Sequence, residues 1–245
     1  MSSLLLRASR FAARHVATQR LNLRKGRGVV SLSFDDVPAS ACQNGADILE
    51  DFEGNATFFV CGGLTEQYEQ DQLCHSLDDL LQLQENGHEI GCHTYSHLNC
   101  AKTDAATLAQ DWDKNAAFFK NNQLLSRGFA FPFGAYDLPA KIAASKRFEY
   151  CRITGGGTQL NYADLFALKA QSLYQNQDNL DYLSGLIETT AEQGGWLILY
   201  SHEVCDQPGP WGCTPDLLRQ VLEMTTHHGS QILSIKRAIN YFKAA

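Results

Sequence analysis

From residue 28 onward, short runs of apolar and β-branched residues alternate with longer stretches whose apolar positions recur at helical spacing. Strands are predicted near 29–34, 56–60, 88–92, 128–131, 149–153, 168–173, 196–200 and 231–234. Helices are predicted near 39–52, 76–86, 104–124, 137–146, 178–193, 214–228 and 234–243. Strand–helix alternation kept up over a whole chain means parallel strands joined by crossover helices, hence a barrel or a doubly wound sheet. Local chemistry marks some boundaries. Thr214-Pro215-Asp216 supplies a capping hydroxyl, a proline at the first helical position and an acid in the first turn. Gly87 sits where the helix near 76–86 should stop. No interior linker interrupts the pattern, so 28–245 reads as one domain preceded by an arm, residues 1–27.

Composition then narrows the function classes. At 245 residues and 44% hydrophobic, the chain can bury one large core. Its formal net charge is −7, but Arg7, Arg10, Arg14, Arg20, Arg24, Lys25 and Arg27 all precede the first acid, Asp35. The body that follows is acidic and offers no basic stripe to neutralise phosphates, which argues against a nucleic-acid partner. Leu4-Leu5-Leu6 is too short for the core of an export signal and is interrupted by Arg7. No run elsewhere is long enough to span a bilayer. Three readings of the arm stay open: a segment packed on the domain or frayed, an amphipathic helix on anionic lipid using Leu4, Leu5, Phe11 and Val16, or an Arg-rich, acid-free transit peptide. Eight cysteines without a Cys-x-x-Cys pair, in a chain too large to need staples, read as reduced thiols, with Cys205 and Cys213 the alternative loop-closing pair. The expected location is the cytoplasm, with peripheral membrane contact through the arm as an option.

Polar residues gather where the strands end. Asp35 and Asp36 follow the first predicted strand, His93 and His97 the third, Pro132-Phe133-Gly134 the fourth and His202 the seventh. In parallel α/β folds that is the face on which active sites are assembled. Adjacent residues leaving a strand point to opposite sides, so two neighbouring acids can hold different tasks, one binding a cation and the other taking a proton. His93 and His97 stand at i and i+4, which on a helical turn puts both imidazoles on one face. Two histidines and Asp36 would leave the open coordination position that a catalytic divalent metal needs. A closed site built from Cys92, His93, His97 and Cys100 is the rival, and it leaves the two acids without a role.

Ser33-Phe34-Asp35-Asp36, the stretch from Gly87 to His97, Phe131-Pro132-Phe133-Gly134, and Leu197 to His202 together resemble the polysaccharide deacetylase family, the NodB homology domain of carbohydrate esterase family 4. The resemblance spans roughly residues 28 to 243. It implies a distorted (β/α) barrel of 7 or 8 strands and a metal-dependent hydrolase that removes acetyl groups from N-acetylated sugars. Carried over residue by residue, Asp35 becomes the general base and Asp36, His93 and His97 the metal ligands. Phe133 would give its backbone N–H to the oxyanion, and His202 would be the general acid. The implied cofactor is one divalent ion, zinc first, and the implied partner is an N-acetylated glycan or oligosaccharide. Pro132 and Trp211 are assigned to substrate binding, Trp211 as a flat face for a sugar ring within the possible lid Glu203 to Cys213.

Departures from the family pattern are specific. Ala130 stands where the family has an arginine that holds the base, and no Asp-Trp fourth motif is found. Arg152, at the end of the next strand, is the candidate replacement. Val37 replaces a glycine after the acid pair. Three functions therefore compete: an N-deacetylase, a hydrolase of another linear amide or formyl group, and a carbohydrate-binding pseudoenzyme. A serine hydrolase is disfavoured, since no Gly-x-Ser-x-Gly elbow is present.

Overall fold

The computed structural model describes residues 9, 11–23, 26–69, 71–175 and 180–244. Seven parallel strands close into a barrel: β2 (Val29–Asp35), β3 (Thr57–Val60), β6 (Glu89–Cys92), β7 (Ser126–Ala130), β8 (Tyr150–Thr154), β10 (Leu168–Ser172) and β11 (Trp196–Ser201). Closure comes from β11 pairing along β2, with Trp196 opposite Val29 and Ser201 opposite Phe34. A two-residue strand, β12 (Gln231–Ile232), adds to the start of β2, while β3 pairs with its end. Around the barrel run α1 (Ala46–Asp51), α2 (Leu77–Glu85), α3 (Ala105–Asn121), α4 (Leu138–Ser145), α5 (Leu180–Gln193), α6 (Pro215–His227) and α7 (Ile235–Ala244). Thr214 caps α6 by accepting the Leu217 N–H at 3.2 Å, and Gly87 takes φ 83° after α2, as expected.

The alternation of β2 decides which side chains reach the barrel interior. Val30, Leu32 and Phe34 join the layer under the helices, whereas Val29 belongs to a second apolar cluster inside the barrel. Ser31 and Ser33 share the inward register; Ser31 accepts the Trp196 indole N–H at 2.9 Å and Ser33 donates to the Leu199 carbonyl at 3.2 Å. Asp35 is the next residue in that register, so the strand delivers it to the upper mouth. The lower mouth is plugged. Ile235, Ala238, Ile239 and Phe242 of α7 pack with Val29, Tyr150, Leu168 and Trp196, at about 1.5–3 kcal/mol for each large side chain buried.

Two small antiparallel pairings are additions to the predicted pattern. β1 (Arg20–Asn22) pairs antiparallel with β9 (Tyr162–Asp164), and β4 (Tyr68–Glu69) with β5 (Gln72–Leu73). Strands of two or three residues are too short to carry a period-two signal. The arm is thereby tied to the domain from its second half: Ala13, Leu21 and Leu23 are buried, and the Lys141 ammonium donates to the Ala13 carbonyl at 2.7 Å and to Asp164 at 2.6 Å. The lipid-facing residues proposed for the arm divide: Phe11 and Val16 are exposed, and Leu4 and Leu5 lie outside the described residues, as do Arg7, Arg10, Arg24 and Lys25. None of the eight cysteines, Cys205 and Cys213 included, is in a disulfide.

Candidate active site

Of the residues singled out at the strand ends, Asp35, Asp36, His93, His97, Phe133, Gly134 and His202 meet in one cavity of about 270 Å³ at the upper mouth, which Trp211, Thr154, Tyr174 and Tyr200 also line. Pro132 is buried and does not line it. Asp36 leaves the strand through a left-handed turn, φ 56°, which is followed by Val37, also at φ 56°. Valine thus holds a left-handed backbone shape that favours glycine, a strained choice for a β-branched residue. The turn brings Asp36 to the same mouth as Asp35.

The segment from His93 to His97 is not helical, contrary to the spacing argument. It is a loop with Thr94 at φ 63° and His97 at φ 52°, braced by Asp111, whose carboxylate accepts the Tyr95 N–H at 2.6 Å. The two imidazoles converge all the same, with ring centroids 5.2 Å apart. Room for the strand that carries them comes from Gly91, where a Cβ would stand 2.5 Å from the Phe59 ring.

Ligating atoms of Asp36, His93 and His97 all lie within 4.8 Å of one another. Nε2 of His97 is 3.4 Å and Nε2 of His93 3.8 Å from Asp36 Oδ1. A tetrahedral ion with ligand distances near 2.1 Å has donors separated by about 3.4 Å, so this donor set fits a zinc-sized divalent cation. His93 donates its Nδ1–H to the Ala130 carbonyl at 2.8 Å, leaving Nε2 as a lone pair. Burial, helped by His97 and Arg152, drives its pKa down to about 3, so the ring is neutral and ready to ligate. Burial, reinforced by the Asp35 and Glu69 carboxylates, pushes Asp36 up to about 7 against the pull of His202. A positive charge is what this carboxylate lacks. Cys92 hydrogen-bonds instead with the Asn115 amide, 3.1 Å away, so the rival closed cysteine–histidine site is not assembled.

Asp35 stands differently. Its Oδ1 accepts a hydrogen bond from Arg152, which is fully buried and stacked between the Phe59 and Tyr200 rings at 5.2 and 5.1 Å. Burial alone would raise its pKa; Arg152, with His93 and His202, outweighs that and holds it below the usual carboxylate range. Arg152 and Ala130 are register partners on neighbouring strands, so the guanidinium arrives from one strand over. His202 faces Asp36 Oδ2 across 3.8 Å through Nε2, and its Nδ1 meets the Trp211 carbonyl at 3.1 Å. Trp211 is half-exposed and edge-on to Tyr174, at 5.7 Å. Phe133 is exposed at the rim, φ 59°, with its ring 4.4 Å from that of His97.

Sequence reasoning did not single out Tyr174, Tyr200, Thr154 or Glu69. Tyr174, Tyr200 and Thr154 follow or end predicted strands, where the rule that assembled the other residues would have flagged them. Glu69 carries no such signal, for it lies in the polar stretch Glu66 to Gln72.

The chain belongs to the polysaccharide deacetylase family, whose family model matches residues 22–151. A bifunctional xylanase/deacetylase from Pseudobutyrivibrio xylanivorans is 29% identical over 93 residues, 38% of this chain and 14% of that protein. This chain therefore matches only a small part of that curated relative. Among solved structures, the Xyl-CE4 domain of a multidomain xylanase from the hindgut metagenome of Trinervitermes trinervoides superposes with a TM-score of 0.59 at 17% identity, covering 88% of this chain and 91% of that one. A CE4 family pseudoenzyme from Bacillus anthracis gives 0.61 at 14% identity, covering 88% of this chain and 66% of that one. These likenesses agree with the distorted (β/α) barrel.

Proposed function

We propose that this protein is a metal-dependent hydrolase that removes N-acetyl groups from an amino-sugar-containing glycan or glycan precursor, with zinc as the ion. The observation that carries the reading is the convergence of Asp36, His93 and His97 within 4.8 Å, in the cavity that also holds Asp35 and His202. Asp36 and the two imidazoles would hold the cation, which when bound acidifies a water and polarises a carbonyl oxygen. Asp35, kept ionised by Arg152, accepts a proton from the attacking water as general base. Negative charge developing on the acetyl oxygen is met by the Phe133 amide N–H; one such donor is typically worth roughly 3–4 kcal/mol. His202 donates a proton from Nε2 to the departing amine, while the Trp211 carbonyl holds Nδ1 and so fixes the ring. Trp211 itself offers its exposed face to a sugar ring.

Ala130 favours the alternative of a carbohydrate-binding pseudoenzyme, and the contact between Arg152 and Asp35 removes most of that support. The test is acetate release from N-acetylglucosamine oligomers by metal-reconstituted protein, beside Asp35→Ala, His93→Ala and Arg152→Ala. Release by the wild type, abolished by chelation and by the first two changes and reduced about a hundredfold or more by the third, is expected. Stoichiometric metal with no release from any oligomer would move the substrate to another amide or a formyl group. Absence of bound metal would return the site to a binding role.

A further inference from the structure

His97 is addressed by carboxylates from two sides. Its Nε2 lies 3.4 Å from Asp36 Oδ1, and its Nδ1 lies 3.5 Å from Glu69 Oε1. The Asp36 side is where the ligating atoms cluster, and Glu69 is not part of that cluster. Glu69 therefore stands behind the ring, away from the space a cation would fill. His93, the other imidazole, is held at the same ring position by the Ala130 carbonyl. That carbonyl is a fixed feature of β7, whereas His97 comes from a loop and has no equivalent strand beside it.

The hairpin that supplies Glu69 grows from the turn that supplies Asp36. Glu69 ends β4 opposite Gln72, and the hairpin is sewn to its base by the Cys74 N–H on the Gln67 carbonyl and the Glu66 N–H on the His75 carbonyl, both at 2.9 Å. His75 in turn donates its N–H to the Val37 carbonyl at 2.9 Å, and Pro38 bridges to Cys74. Asp36 and Glu69 thus belong to one bonded unit that brackets the imidazole. Phe133 covers the face of the same ring.

We infer that Glu69 is the outer carboxylate of the metal centre, a positioning residue that orients His97 through Nδ1 and raises its strength as a ligand. The inference rests on the metal-dependent reading above. A carboxylate behind a ligating imidazole fixes its tautomer, with the proton on Nδ1 and the lone pair on Nε2. It also supplies the second negative charge that, with Asp36, balances a divalent cation held by two neutral rings. Loss of such a partner typically weakens metal binding about 10- to 100-fold.

The experiment is a competition titration of zinc against a chromophoric chelator, using metal-free wild type, Glu69→Gln, Glu69→Asp and Tyr68→Ala, with the cobalt(II) absorption spectrum as a second readout. Glu69→Gln should bind zinc about 10- to 100-fold more weakly and shift the cobalt bands, while the thermal midpoint of the metal-free protein stays unchanged. Glu69→Asp, which keeps the charge, should recover part of the loss. Tyr68→Ala disturbs the exposed side of the same hairpin and should match wild type, so a general effect of the hairpin is separable. Tight zinc binding by wild type and Glu69→Gln alike overturns the inference and leaves the metal reading intact. No zinc binding by wild type overturns both.

Discussion

Two carboxylates, Asp36 buried and Glu89 half-buried, occupy opposite ends of the same barrel and are treated in opposite ways. Glu89, at the lower end, accepts from the Tyr150 hydroxyl at 2.7 Å, the Thr57 hydroxyl at 2.9 Å and the Lys236 backbone N–H at 2.8 Å, and so caps α7 from inside the barrel. Among the described residues, Asp36, at the upper end, meets the Cys61 thiol at 3.8 Å and three imidazole nitrogens between 3.4 and 3.8 Å. Burial raises the pKa of both groups. At the lower end the protein supplies the compensating donors itself; at the upper end, on the reading proposed above, a cation supplies the compensation. A polar group satisfied from within serves the fold, and one left wanting serves a ligand.

Glu89→Ala should show the largest effect on stability, a loss of about 3–5 kcal/mol in urea unfolding, because it strands Tyr150, Thr57 and the first turn of α7 without their acceptor. A loss below about 1 kcal/mol would break the comparison at its lower end. His88, beside Glu89, gives the next effect. It accepts the Ala56 N–H through Nδ1, and burial, with Arg237 adding to it, lowers its pKa from 6.5 to about 4. The folded state therefore binds this proton less readily than the unfolded chain. Its contribution is complete above about pH 6.5 and is lost as pH falls towards 4, by about 3 kcal/mol in all. In His88→Gln the dependence of unfolding free energy on pH over that window should be shallower; equal slopes would refute the assignment. Asp36→Asn is the smallest and has the opposite sign. The metal-free protein should gain roughly 1–2 kcal/mol near neutral pH, while on the proposed reading the same change abolishes cation binding. Destabilisation on the scale of Glu89→Ala would show that Asp36 is satisfied after all.

Much of this was legible in the sequence, for identifiable reasons. The strands and helices announced themselves because a parallel barrel repeats one unit and each unit is long enough to show its period. Asp35, Asp36, His93, His97 and His202 were found by their position after strands, which topology converts into proximity. The loop from His93 to His97 was misread as a helical turn because spacing is silent about backbone handedness, and Thr94 and His97 both adopt positive φ. Arg152 was reachable only by looking one strand beyond the usual place, and its contact with Asp35 depends on the pairing of Ala130 with Arg152. Glu69 was illegible: nothing in a polar stretch says that its fold-back will end beside an imidazole 28 residues further on.

The helix that seals the lower mouth makes the barrel a cup with one opening. Whatever reaches Asp36 comes in by the upper mouth, past Trp211, and must go out the same way. A long chain cannot be threaded through such a vessel. It can only be laid across the rim, lowering one side group at a time into the well.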